Sequence, residues 1–199
     1  MIDNNSEEMK KLVKKLDDFL ISKHIFCKSE WLNEKLVTLK TSKKLEEDIM
    51  KEVVNTDINL IIDKERIKSK FNLSSQPKFS KFYELNNYFL MQIIGYSNIA
   101  EPSENLNKSS NNLDVLDNLD SKFLQSEGEE KKKTEKILLK FEMTEGIDKY
   151  YGFEYENLNE LKASFNSSSN KFPKIILGPK TEIRRGILFL RNNNTKLLS

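Results

Sequence analysis

Hydrophobic positions recur at intervals of three and four through the first third of this 199-residue chain, and at every second residue through much of the remainder. Met9, Leu12, Val13, Leu16, Phe19 and Leu20 form one apolar stripe, because side chains three and four apart share a helix face. Ser6, followed by Glu7 and Glu8, predicts the N-cap of that helix, with acids placed against its dipole. Ser29 predicts the start of a second helix burying Trp31, Leu32, Leu36 and Leu39, and Ser42 that of a third with Leu45, Ile49, Met50 and Val53 inward. Short stripes joined by tight connections are buried only by one another, so residues 1–71 read as a three-helix bundle. Asn55 to Lys70 stays open, since Ile58, Ile61 and Ile62 suit a short helix or a docking strand. Asn72 to Ser80, with its Ser, Pro and Gln, reads as a linker.

From Tyr88 the period changes to two. Phe89, Met91 and Ile93 alternate with Leu90, Gln92 and Ile94, and Gly95 allows the bulge that curls a sheet toward closure. Ile137, Leu139, Phe141 and Met143 alternate with Lys136, Leu138, Lys140 and Glu142. Glu145-Gly146 signals a turn, and Tyr151, Phe153 and Tyr155 alternate on the returning strand. Asn157 predicts the cap of a short helix containing Leu158, Leu161 and Phe165, and strands over 174–178 and 183–191 close the pattern. Five strands with a helix between the third and fourth match the order of an OB-fold, a small, partly open Greek-key barrel. The expected fold is α+β: an N-terminal three-helix bundle packed on a five-stranded OB-fold barrel over residues 81–199.

Between the first two barrel strands lies an insertion, 101–133, well beyond the about 12 to 15 residues at which loops in compact domains become uncommon and are usually functional or disordered. Glu101, Glu104, Asp114, Asp117, Asp120, Glu127, Glu129 and Glu130 stand there against Lys108 and Lys122, ahead of the basic run Lys131, Lys132 and Lys133. A purely solvating linker has little use for Leu113, Val115, Leu116, Leu119, Phe123 and Leu124. Leu116, Leu119, Phe123 and Leu124 fall at i, i+3, i+7 and i+8, the spacing of a short amphipathic helix that orders in a partner's groove. The plain alternative is a disordered insertion with incidental leucines. Its acidity points to a basic partner such as a DNA-processing enzyme.

Composition narrows the function. The chain is 37% hydrophobic and 32% charged, with mean hydropathy −0.62, as expected of a soluble globular protein with room for mobile segments. A net charge of +2 argues against a surface that is positive all over. Cys27, the single cysteine, reads as a small buried hydrophobe and fits a reducing compartment. No apolar run approaches the roughly 18 residues of a membrane span, and Met1 to Glu8 is too polar for a signal sequence, so an intracellular protein is expected. His24 is the only histidine, which puts paired-imidazole metal sites and catalytic triads out of reach; a surface or interhelix role is expected instead. Gly178-Pro179-Lys180-Thr181 lacks the upstream glycine of a phosphate loop and reads as a turn between strands. No catalytic residue, cofactor or metal is expected, and a non-enzymatic function is.

OB-folds often bind single strands through aromatic platforms interleaved with cations. Here the outward side of the central strands is expected to carry Lys136 and Lys140 mixed with Glu142, Glu154 and Glu156, a poor phosphate track. Tyr151, Phe153 and Tyr155 take the parity expected of the core. Arg184, Arg185, Arg191 and Lys196 remain as a weak local patch. An independent single-stranded DNA-binding OB protein is therefore the alternative rather than the leading reading.

Four stretches carry a family resemblance: Ser29-Glu30-Trp31-Leu32; Tyr88-Phe89-Leu90-Met91-Gln92-Ile93 leading to Asn98-Ile99; Leu138 to Gly146 with its Met143-Thr144-Glu145-Gly146 turn; and Lys174-Ile175-Ile176-Leu177-Gly178 followed by Arg184-Arg185-Gly186-Ile187-Leu188-Phe189-Leu190. From about Leu12 to its C-terminus the chain resembles the N-terminal region of the RecQ-mediated genome instability protein 1 family, scaffold subunits of RecQ helicase and topoisomerase III complexes. The resemblance implies a non-catalytic, nuclear partner of a type IA topoisomerase III and a RecQ-family helicase. Such a partner meets DNA weakly or through the complex, in homologous recombination, DNA replication and DNA repair. It implies an insertion loop that contacts the topoisomerase near its gate during decatenation and double Holliday junction dissolution. That loop corresponds by position to Glu101 to Lys133, whose sequence matches no family motif. Lys174, Arg184 and Arg185 are the second-choice docking residues on the barrel. The chain looks like the short fungal or protist members, without a second OB-fold. A related tudor-domain scaffold is disfavoured by the absence of a tudor-like segment.

Overall fold

The computed structural model describes residues 4–39, 42, 44–70, 82–100, 138–166 and 173–198. Its first part holds α1 (Asn4–Ser22), α2 (Ser29–Leu39), α3 (Leu45–Asn55), α4 (Ile58–Ile61) and α5 (Lys64–Lys70). The helical stripes read from the sequence converge on one core: Leu16, Leu20, Trp31, Leu32, Leu36, Ile49 and Val53 are buried together with Ile58, Ile61 and Ile62. Asn55 to Lys70 forms two short helices. Asp57 accepts from the Asn59 N–H at the start of α4, and Asp63 from the Glu65 and Arg66 N–H groups at the start of α5. Among the described residues the bundle thus has five helices where three are expected. Ser6 lies inside α1 rather than capping it, and Ser42 lies ahead of α3, its Oγ accepting from the Lys44 N–H. Cys27 is buried as expected, and apolar surroundings push its thiol up to about 12.

The second part holds β1 (Tyr83–Glu84), β2 (Phe89–Asn98), β3 (Leu139–Thr144), β4 (Lys149–Glu154), α6 (Asn159–Asn166), β5 (Lys174–Leu177), β6 (Glu182–Arg184), β7 (Ile187–Leu190) and β8 (Thr195–Leu198). One curled sheet takes the order β1-β6-β7-β4-β3-β2-β5-β8. β4 and β7 run parallel, and every other pair is antiparallel. Phe89, Met91, Ile93, Phe141, Met143, Ile175, Leu177, Leu188 and Leu190 fill its interior, and Leu158 and Leu161 of the α6 region belong to the same core. The bulge falls where Gly95 predicts it, because Ile93 and Gly95 oppose Met143 and Glu142 with Ile94 left over. Gly178 to Thr181 is the expected turn, with the Thr181 hydroxyl donating to the Gly178 carbonyl at 2.7 Å.

Several strand boundaries differ from expectation. The strand over 183–191 is two strands, since Arg185 and Gly186 both take positive φ, 51° and 81°, in a tight two-residue hairpin turn. β1 and β8 have no counterpart in the periodicity: β1 has two residues, and in β8 two polar residues precede two leucines without alternating. Asn157 does not cap α6 but binds Lys162, while the Glu154 carboxylate accepts from the Leu158 N–H at 2.9 Å.

The bundle packs on the outside of the barrel. Leu90 of β2 and Leu198 of β8 belong to the bundle core, with Ile176 of β5 and Ile147 of the β3–β4 turn packed against it. Polar groups fill the same joint: Gln92 Oε1 accepts from the Ile58 N–H at 2.8 Å. His24, at positive φ of 62°, stacks on Tyr88 with ring centroids 4.1 Å apart, and partial burial lowers its pKa. No helix among the described residues is long and apolar enough to cross a membrane.

Candidate functional site

The length of one turn decides which side chains reach the outer face of the barrel. Thr144 pairs with Lys149 across a loop of four residues, so Met143 faces Tyr150, Phe141 faces Gly152 and Lys140 faces Phe153. Directly opposed residues share a face of the sheet. With Phe141 and Met143 in the core, Tyr150, Gly152 and Glu154 must turn inward, and Tyr151, Phe153 and Tyr155 outward. The expectation that these three aromatics belong to the core is therefore reversed: Tyr151 is 45% and Tyr155 60% exposed. Glu154, expected outside, is buried, where it accepts from the Leu158 N–H and pairs with Lys162 at 2.7 Å.

Neighbouring strands extend this face. Phe153 stands beside Phe189, and Tyr151 beside Ile187. Tyr155 and Phe189 meet edge to face at 5.6 Å. Three of these rings have a cation near them: Lys140 lies 4.4 Å from the Tyr151 centroid, Arg191 4.5 Å from that of Tyr155, and Arg184 5.2 Å from that of Phe189. The carboxylates here are answered internally. Glu142 holds Lys149 at 2.7 Å, and Glu182 holds both Arg184 and Arg191 at 2.7 Å. Arg191 Nε is a buried donor with no acceptor among the described residues. Of the two arginines singled out in the sequence, Arg184 lies on this face, and Arg185 projects from the exposed tip of the β6–β7 hairpin. Holding a non-glycine residue there in the left-handed region costs about 1–2 kcal/mol.

Lys174 occupies a different place. It starts β5 as expected, yet it is fully buried in the joint with the bundle. Its ammonium donates to the Val54 carbonyl at 3.0 Å and the Thr56 carbonyl at 2.7 Å, at the C-terminal end of α3. Burial pushes it down to about 8, against the pull of Asp57. A group committed in this way cannot reach a docking partner on the surface, so its expected partner-facing position is corrected to an internal one.

The insertion leaves the barrel through a tied neck. β2 and β3 pair as far as Asn98 and Leu139, and the Ile99 N–H donates to the Leu138 carbonyl at 2.9 Å. Asn98, itself buried, accepts from the Ala100 and Leu138 N–H groups, both at 3.1 Å, so one side chain holds both ends. Nothing in the alternation of β2 marks Asn98 for that role. Leu113, Val115, Leu116, Leu119, Phe123 and Leu124, the candidate partner-binding residues of the insertion, lie outside the described residues. No cluster of His, Cys, Asp and Glu able to hold a metal occurs among those described.

Comparison with known proteins adds one finding. A family model described as "RMI1, N-terminal OB-fold domain" matches residues 64–199, which takes in the whole barrel and the end of the bundle. The comparison with curated proteins returns no match.

Proposed function

This chain belongs to the RMI1 family, a family of non-catalytic OB-fold scaffolds in genome maintenance, and on that premise we propose that it binds a type IA topoisomerase III together with a RecQ helicase. In this reading the insertion between β2 and β3 modulates the topoisomerase gate, and the complex serves decatenation and double Holliday junction dissolution in the nucleus. The observation that carries the reading is the neck at Asn98, which ties together Ala100 and Leu138, the described residues on either side of the insertion.

A gate that opens, passes a strand and closes is a two-state element, and a ligand shifts it only by its differential affinity for the two states. An insertion that meets both sides of the open gate supplies such a difference and slows closure. Arg184 and Arg185 are the barrel's docking residues in this reading. Deleting Ser103 to Glu130 should leave the barrel's melting intact while abolishing stimulation of decatenation by the cognate topoisomerase. Unchanged decatenation by the folded deletion variant would refute the gate mechanism.

A further inference from the structure

We propose that the outer edge of β8 takes up an extended peptide of alternating acidic and apolar residues as an added strand, its acids entering the cavity between β8 and the end of α1. The site lies apart from the insertion, two strands beyond β2 in the order β3-β2-β5-β8, and does not rest on the topoisomerase reading. β8 pairs with β5 on one side and with no described strand on the other. Such an edge is a ready template for another chain.

Hydrogen bonding fixes which groups that edge offers. Backbone N–H and C=O groups turn alternately to the two neighbours of a strand. On the β2 side of β5 the Pro173 carbonyl accepts from the Ile93 N–H at 2.8 Å, and on the β8 side the Gly178 N–H donates to the Asn194 carbonyl at 2.7 Å. Residues 174, 176 and 178 therefore face β8, where they meet Leu198, Lys196 and Asn194. Thr195 and Leu197 turn their polar backbone the other way. The Arg191 carbonyl takes the Thr195 N–H at 3.0 Å, which leaves the Thr195 carbonyl and both groups of Leu197 for an incoming strand.

The two faces of the edge decide the chemistry of the peptide. Ile176 and Lys196 are directly opposed and so share a face. Both line a cavity of about 560 Å³, together with Lys23 and His24 at the end of α1 and Tyr88 ahead of β2; sites that hold ligands have this size. Lys23 and Lys196 are exposed, and neither has an ion pair among the described residues. Glu160 is the one carboxylate among the described lining residues. Thr195 and Leu197 share the opposite face, where Leu197 packs against the barrel core. A strand laid along β8 is therefore matched by acids on the cavity side and apolar residues on the other, a period of two.

The test is a fluorescence anisotropy titration of the full chain against a labelled octapeptide of alternating aspartate and valine, at about 50 mM salt, where screening is weak. Saturable binding tighter than about 1 mM is expected, and a lysine–valine peptide of the same length should bind about ten-fold more weakly or worse. Combining Lys23→Glu with Lys196→Glu should reverse that order and leave the melting temperature unchanged, since both side chains are exposed. Strand addition has a separate readout on the peptide, where no fold is at risk. N-methylation of every valine in one peptide and of every aspartate in another should abolish binding in one and spare it in the other, because only one set turns its N–H groups to β8. No saturable binding below about 1 mM overturns the proposal. So do equal binding of the acidic and basic peptides, equal effects of the two methylations, or an unchanged preference in the double variant. A dimer in sedimentation velocity that the acidic peptide does not dissociate gives the edge to a second copy of the chain and overturns it as well. None of these outcomes bears on the decatenation test of the insertion.

Discussion

Lys174 shows how one residue can be placed correctly in an element and yet have its role decided elsewhere. Its ammonium closes the end of α3 from across the joint. Methionine in its place would fill the space but leave two part-buried carbonyls without that donor. An orphaned buried acceptor costs about 1–3 kcal/mol, and these part-buried ones sit at the low end, so Lys174→Met should lower stability by about 1–2 kcal/mol in urea unfolding. The pH dependence has a definite sign. Folding lowers this pKa from 10.5 to about 8, so between those values the unfolded chain binds more protons than the native one, and stability rises with pH. The stability gap between wild type and Lys174→Met should therefore be flat below about pH 8 and widen from there toward pH 10. A gap that narrows over this range would show that the charged form is the favoured one in the joint. Nothing in the local sequence marks this lysine, because its partners lie more than a hundred positions away.

At the scale of the element, β4 carries the sharpest difference between pattern and structure. Tyr151, Phe153 and Tyr155 alternate as a strand should, and the strand forms. Alternation alone does not say which side is in. The inward side is selected by the four-residue loop from Thr144 to Lys149 and by Gly152, where the barrel wall comes too close for a side chain. A Cβ at Gly152 would lie 2.7 Å from Met143 Cε and 3.3 Å from Leu190 Cδ1. The end of a methionine can move, but Leu190 is fully buried and has less freedom. Gly152→Ala should thus cost about 1–3 kcal/mol, the usual range for an overfilled core, read as a lowered urea midpoint with unchanged slope. The loop's length is fixed only where pairing stops, at Thr144 and Lys149, and the alternation does not mark those ends. β1 has only two residues, too short for any period to announce it, and β8 does not alternate.

At the scale of the whole molecule, the bundle's core closes over the outside of the barrel, which keeps a core of its own. Leu90 and Leu198 are barrel residues buried by the bundle, and Ile176 and Ile147 lean on it. Each aliphatic side chain so buried is worth about 1.5–3 kcal/mol, and the joint also satisfies Lys174 and Gln92. The two parts should accordingly unfold together. Trp31, the only tryptophan, sits in the bundle core, so its fluorescence reports the bundle while far-ultraviolet circular dichroism reports both parts. Coincident urea midpoints are expected, and an earlier fluorescence transition would show that the bundle detaches first.

By itself the sequence determined what depends on near neighbours: the apolar stripes of α1 to α3, the alternation of β2 to β4, the strand at β5, the bulge at Gly95, the turn at Gly178, and the position of an acidic insertion between two strands. Periodicity and turn chemistry are local, so they survive in one dimension. Tertiary structure alone decided which face of β4 looks outward, that Glu154 goes in and Lys174 seals a helix end, and that Asn98 ties the neck. Those outcomes depend on register and burial, which exist only once distant segments have been brought together.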